Sequence, residues 1–291
     1  MTLFNKAYET QKDAPQALAW DTYEKIARPK YEKLLENVDN DEKVFQSFFE
    51  KNPSFLPGGL ELIGNSGHYP IMHSLITQPK LGCTVERNPD FLWLAKDSLN
   101  FCPVFIEIEK PTKKMFTKSG IPAKDFNQAM NQIDEWKTLL NMPENQIHFL
   151  KYYNIPSSER KKRFAPQYLL VYGRRSEYEE NEHLTRLRAQ KESNDIKIMS
   201  FDRLHPISEY MQFVCCKLTK QTYTVVSIPP TFKYRADCSE ELKKMSGFLE
   251  CIPSIDDITE ERAIFLKKRY DYWIDFANQQ QKGMIISMEG E

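Results

Sequence analysis

The sequence predicts an α/β protein built on a mixed central sheet flanked by helices. Three observations point there. A Phe-rich helical stretch carrying Val44, Phe45, Phe48 and Phe49 is stopped by Pro53. Three strand-like runs follow at 69–77, 90–95 and 104–109, divided by Pro79 and Gly82, by Asn88-Pro89, and by Asp97-Ser98 with Asn100. A helix opening near Pro122 and running to Asn141, with Phe126, Met130, Ile133 and Leu140 on one face, then precedes a short apolar strand at 168–172.

The remaining elements are read in the same way. Residues 1–37 read as helical, with Tyr23, Ile26, Tyr31, Leu34 and Leu35 at apolar positions and Pro29 interrupting. Asn40 or Asp41 is placed to cap the Phe-rich helix, whose polar side carries Gln46 and Glu50 four residues apart. A charged helix is expected over 177–192, a strand over 196–199, and a further helix from Phe201. Beyond 212, residues 223–228 read as a strand before Pro229-Pro230. Thr259 is placed to cap a long helix with Ile264, Phe265, Tyr270, Trp273, Ile274 and Ala277. These divide the chain into a helical extension (1–37), a core domain (38–211) and an α/β C-terminal extension (212–291) suited to packing or oligomerisation.

With 291 residues the chain has enough length to bury a real core, and its net charge of -1 argues against a general polyanion binder. Basic residues are clustered all the same, at Lys110, Lys113, Lys114, Lys118 and Lys124, at 160–163, and at Arg174-Arg175. The run at 160–163 reads as a solvated loop. Cys83, Cys102, Cys215, Cys216, Cys238 and Cys251 lack zinc-knuckle spacing and read as reduced thiols. No apolar run is long enough for a bilayer and Met1 to Lys6 has no apolar leader, so a cytoplasmic protein without a membrane partner is expected.

The chemistry is concentrated at Glu107-Ile108-Glu109-Lys110. Side chains alternate along a strand, so Glu107 and Glu109 share one face. Two carboxylates at the end of an apolar strand repel each other, and burial without compensation costs several kcal/mol per charge. A divalent cation resolves that conflict. Asp90 opens the preceding strand, where antiparallel pairing would set it beside Glu107. A two-carboxylate glycosidase is the competing enzyme class, but the eight βα units of its commonest scaffold are missing. No GxSxG motif supports serine hydrolysis, and His68, His73, His148, His183 and His205 have no recognisable nucleophile partner.

Asn88-Pro89-Asp90 followed by Glu107-x-Glu109 resembles the PD-(D/E)xK nuclease signature, with a restriction-endonuclease-like core. Gln132 to Trp136 is similar to the QxxxY element of some of those enzymes. More closely, residues 40–210 resemble the Shedu anti-phage nucleases. The likeness is carried by the helix at 45–53, Arg87 to Phe91, Glu107 to Pro111, Gln128/Gln132, and the segments 169–174 and 198–204. It implies a DNA endonuclease, active in phage defence and assembled as a homo-oligomer. Asp90, Glu107 and the Ile108 carbonyl would hold Mg²⁺ or Mn²⁺. Glu109, Gln132 and Glu50 would complete the catalytic set, and Lys110, Lys113, Lys114, Lys118 and Lys124 would contact DNA phosphates. Glu109 stands where the family usually has lysine. Lys110 points to the other face, leaving Lys113 or Lys114 to fold back over the site. The alternative is a nuclease fold that binds DNA or a protein without cutting.

Overall fold

The computed structural model describes residues 8–37, 39, 41–60, 62, 68–81, 88–279 and 290–291. Among these, nine strands form one mixed sheet in the order β6-β5-β3-β2-β1-β7-β8-β9, with β4 beside β3. Helices cover both faces, which makes the protein α/β as its sequence predicts. Residues 1–7, Asn40, Gly82, Cys83 and Arg87 lie outside the description.

Helix α1 (Trp20–Glu36) starts later than expected, and Pro29 lies within it without ending it. Burial of Tyr23, Ala27 and Tyr31 holds the turn that the missing proline N–H weakens. Asp41 caps α2 (Glu42–Lys51), accepting from Val44 N at 3.3 Å. Phe48 packs on Tyr31 and Phe55 with ring centroids 5.3 and 5.0 Å apart, fixing α1 and α2 over one sheet face.

The strand expected at 69–77 is shorter, β1 (Ser74–Thr77), because Met72 and His73 adopt φ of 67° and 44° in the turn before it. β1 pairs antiparallel with β2 (Phe91–Lys96), and β2 with β3 (Asn100–Ile108), Phe91 opposite Ile106. Val104, Ile106 and Ile108 face the α1–α2 side, while Phe101 and Phe105 face α3 (Lys124–Leu140) and α4 (Pro143–Tyr152). The short α5 (Ser157–Arg160) and β4 (Arg163–Phe164) lead into β5 (Gln167–Val171), parallel to β3, and β6 (Ile196–Met199) is parallel to β5.

The helix expected over 177–192 is cut to α6 (Glu182–Ala189). Asn181 caps it, accepting from Leu184 N at 3.1 Å, so the chain before it is left free for other contacts. The helix expected from Phe201 is only a 3₁₀ turn, Phe201–Arg203, because Pro206 disfavours helical backbone at His205. Past residue 212 the sheet continues: β7 (Val214–Thr219) runs parallel to β1, then come β8 (Thr222–Ser227), α7 (Ser239–Leu242), β9 (Met245–Ser246), α8 (Phe248–Cys251) and α9 (Glu260–Asn278). Thr259 caps α9, accepting from Arg262 N at 3.2 Å.

One loop governs the sheet end where Glu109 sits. Residues 110–123 leave β3 and fold back, and the carboxylate of Glu177 accepts from Met115 N and Phe116 N, both at 2.9 Å. Gly173, just past β5, has φ +61°, and a Cβ there would lie 2.7 Å from the Lys113 carbonyl oxygen. Glycine is required on both counts. Gly173→Ala is expected to cost about 1–3 kcal/mol in urea unfolding, beyond the effect of glycine-to-alanine at a relaxed site. A variant as stable as wild type would contradict this account of the loop.

Candidate metal centre

Antiparallel pairing brings the start of β2 and the end of β3 to one end of the sheet. Asp90 N donates to Ile106 O at 3.0 Å, and the Asp90 carboxylate accepts from Ile108 N at 2.8 Å. Glu107 lies on the same face as Phe105, toward α3, where Gln132 Nε2 donates to its Oε1 at 2.7 Å. The other oxygen of Glu107, Oε2, is buried and has no hydrogen-bond partner.

Burial dominates the electrostatics. It pushes Asp90 up to about 8, opposed by the Ile108 N–H and reinforced by the charges of Glu42 and Glu109. Burial also raises Glu107 well above the usual carboxylate range, followed by Asp90, Glu109 and Glu42, with Gln132 working the other way. Two adjacent buried carboxylates cannot both ionise cheaply without a cation.

Glu109 follows Glu107 by two residues and forms an ion pair with Lys113 Nζ, while its N–H donates to Val171 O at 2.9 Å. The fold-back of the loop thus sets the Lys113 ammonium group against Glu109. Lys110 lies past the end of β3, and its charge bears on Glu42. Lys114, Lys118 and Lys124 are exposed along the loop and the start of α3.

Glu50, expected in the catalytic set, bonds to Thr77, the β1 residue that pairs with Phe91 beside Asp90. Its Oε1 accepts from Thr77 Oγ1 at 2.6 Å and from Gln46 Nε2 at 3.2 Å, at the end of β1. The α2 carboxylate whose charge bears on Asp90 and Glu107 is Glu42, itself raised by burial and by Glu109. Glu42 was missed in the sequence because an acid in the first turn of a helix is what the helix dipole favours anyway. Four carboxylates and two lysines thus influence this end of the sheet, an imbalance of charge that one divalent cation would offset. The orphaned Glu107 oxygen and the all-oxygen donor set fit Mg²⁺ or Mn²⁺.

A family model described as Shedu protein SduA, C-terminal, matches residues 39–205, more than half of the chain. The chain belongs to the Shedu family. The matched Shedu region runs from just before α2 through the 3₁₀ turn after β6, so it contains every residue of this centre. No curated protein matches the chain. Among the described residues no helix is long and apolar enough to cross a membrane.

Asp90 gives the centre a pH signature. Its ordinary value is 3.8 and its folded value is about 8, so between these the folded chain keeps a proton that the unfolded chain has lost. The stability this contributes is full below about pH 4 and is lost as pH rises through about 8. Metal-free protein is therefore expected to lose at least about 1 kcal/mol in urea between pH 5 and pH 8, and Asp90→Asn to flatten that slope. Equal slopes in the two proteins would contradict the burial of an isolated carboxylate pair.

Proposed function

We propose that this Shedu protein is a metal-dependent endonuclease that hydrolyses DNA phosphodiester bonds in anti-phage defence, using a PD-(D/E)xK-type centre. The reading is carried by Glu107 Oε2, a buried carboxylate oxygen without a partner, on a side chain adjacent to a second raised carboxylate. A protein interior rarely leaves such an atom unmatched unless an ion or substrate completes it. Family membership supports the defence role.

Asp90 and Glu107 would hold the cation, with the Ile108 carbonyl as a third oxygen ligand. When bound, Mg²⁺ or Mn²⁺ supplies charge neutralisation at the scissile phosphate and makes an attacking water more acidic. Gln132 keeps Glu107 Oε1 engaged, which leaves Oε2 to face the ion. Glu109 orients the water and accepts its proton. Lys113, paired with Glu109, supplies the cationic group that ExK centres place two residues after the glutamate. Glu42 adds a carboxylate from α2, suited to a second ion or to holding Lys110. The exposed Lys114, Lys118 and Lys124 would bind backbone phosphates without reading sequence.

The test is cleavage of linear and circular DNA with Mg²⁺ or Mn²⁺, by wild type and Glu107→Gln. The substitution is expected to lower cleavage by at least about 100-fold, more than loss of a group that only orients a ligand. It should also raise the thermal midpoint in chelator, since a buried ionisable group is gone. Metal-dependent cleavage that survives in Glu107→Gln would overturn the site. Metal binding without cleavage in wild type would favour the non-cutting, DNA-binding reading.

A further inference from the structure

A second group of ligand-type side chains lies at the opposite end of β1 from Thr77. His73 immediately precedes β1, and Asp237 and Cys238 lie in the turn leading into α7. One potential ligand atom from each of the three falls within 4.8 Å of the others. We propose that His73, Asp237 and Cys238 form a zinc-type cation site, with the Glu241 carboxylate beside His73, that ties the C-terminal part of the fold to the centre of the sheet.

Three features mark the site, of which the orphaned imidazole nitrogen points to a ligand. The first is backbone strain: Met72 and His73 are consecutive non-glycine residues with φ of 67° and 44°. Each left-handed residue costs on the order of 1 kcal/mol or more and persists only where its surroundings dictate it. The second is an orphaned atom. His73 Nδ1 is buried without a hydrogen-bond partner, and Glu241 Oε2 stops 3.8 Å away, too far for a hydrogen bond. The third is the support given to Asp237. Arg235 grips both oxygens of its carboxylate, with Nε donating to Oδ1 at 2.9 Å, and the Cys238 thiol points at that same Oδ1 from 3.5 Å. A carboxylate oriented this way by a guanidinium is the usual outer support of a ligating group.

The donor set identifies the ion class. Imidazole nitrogen, thiolate sulfur and carboxylate oxygen suit Zn²⁺, whereas Mg²⁺ takes oxygen ligands alone. The two centres on this sheet therefore select different metals. Charge agrees: a thiolate, Asp237 and Glu241 oppose Zn²⁺ and Arg235, leaving no net charge. An entry path exists as well, because His73 and Glu241 also line an open cleft with Lys96 and Lys244. Once filled, the site would join the turn before β1 to α7, two segments far apart in sequence.

The test uses the full chain stripped by chelator, reloaded with Zn²⁺ and desalted. Wild type and Glu107→Gln are expected to retain one zinc per chain, with a thermal midpoint raised by Zn²⁺. Cys238→Ser and His73→Gln should bind at least about tenfold more weakly. Co²⁺ should give wild type a thiolate-to-cobalt charge-transfer band, a readout that stands even if a variant fails to fold. Wild type that retains no zinc, variants that bind like wild type, or Co²⁺ bound without that band would each overturn the proposal. None of these outcomes depends on DNA cleavage.

Discussion

Antiparallel pairing of β2 with β3 is the contact on which the candidate centre depends. With Phe91 opposite Ile106, the residue before β2 and the residue after Ile106 face each other, so Asp90 and Glu107 are brought together by backbone hydrogen bonds rather than by their own attraction. Their charges oppose this arrangement, and burial makes the opposition worse. The sheet withstands it because the rest of both strands is apolar and buried, from Phe91 to Ala95 and from Phe101 to Ile106. The stability of those strands maintains a local conflict that a cation would relieve, which is the usual relation between a rigid scaffold and a strained site.

The pairing of Glu109 with a lysine follows from the loop after β3. Glu109 occupies the position two residues after Glu107, and the ammonium group arrives instead from Lys113, four residues further along. That route requires the loop to turn back tightly. Gly173 makes room for the Lys113 carbonyl, and Glu177 satisfies the two N–H groups of Met115 and Phe116. The same use of Glu177 explains why no continuous helix runs through it, so the lysine loop and the shortened α6 are two aspects of one packing solution.

Much of this was legible in the sequence, and for physical reasons. The Phe ridge of α2, the strands around Asp90 and Glu107, the Gln132 helix and the Thr259 cap rest on local periodicity and capping, which survive folding. Strand alternation alone places Glu107 and Glu109 on one face. What could not be read depended on partners distant in sequence. Pro29 stays inside α1 because Tyr31 packs on α2, a contact that lies outside the local pattern. The influence of Glu42 on Asp90 depends on where the first turn of α2 lands relative to β2, and no local pattern encodes that. The left-handed pair Met72-His73, in a stretch that reads as strand, is a tertiary override of propensity.

The central claim is that Asp90 and Glu107 form a cation site rather than a satisfied core pair. The most direct test is the anomalous scattering of Mn²⁺ in crystals of the wild-type chain. The account predicts an ion within about 2.1–2.3 Å of a carboxylate oxygen of each residue, with Glu107 Oε2 among its ligands. A saturating soak that leaves this position empty, while both carboxylates remain in place, would contradict it.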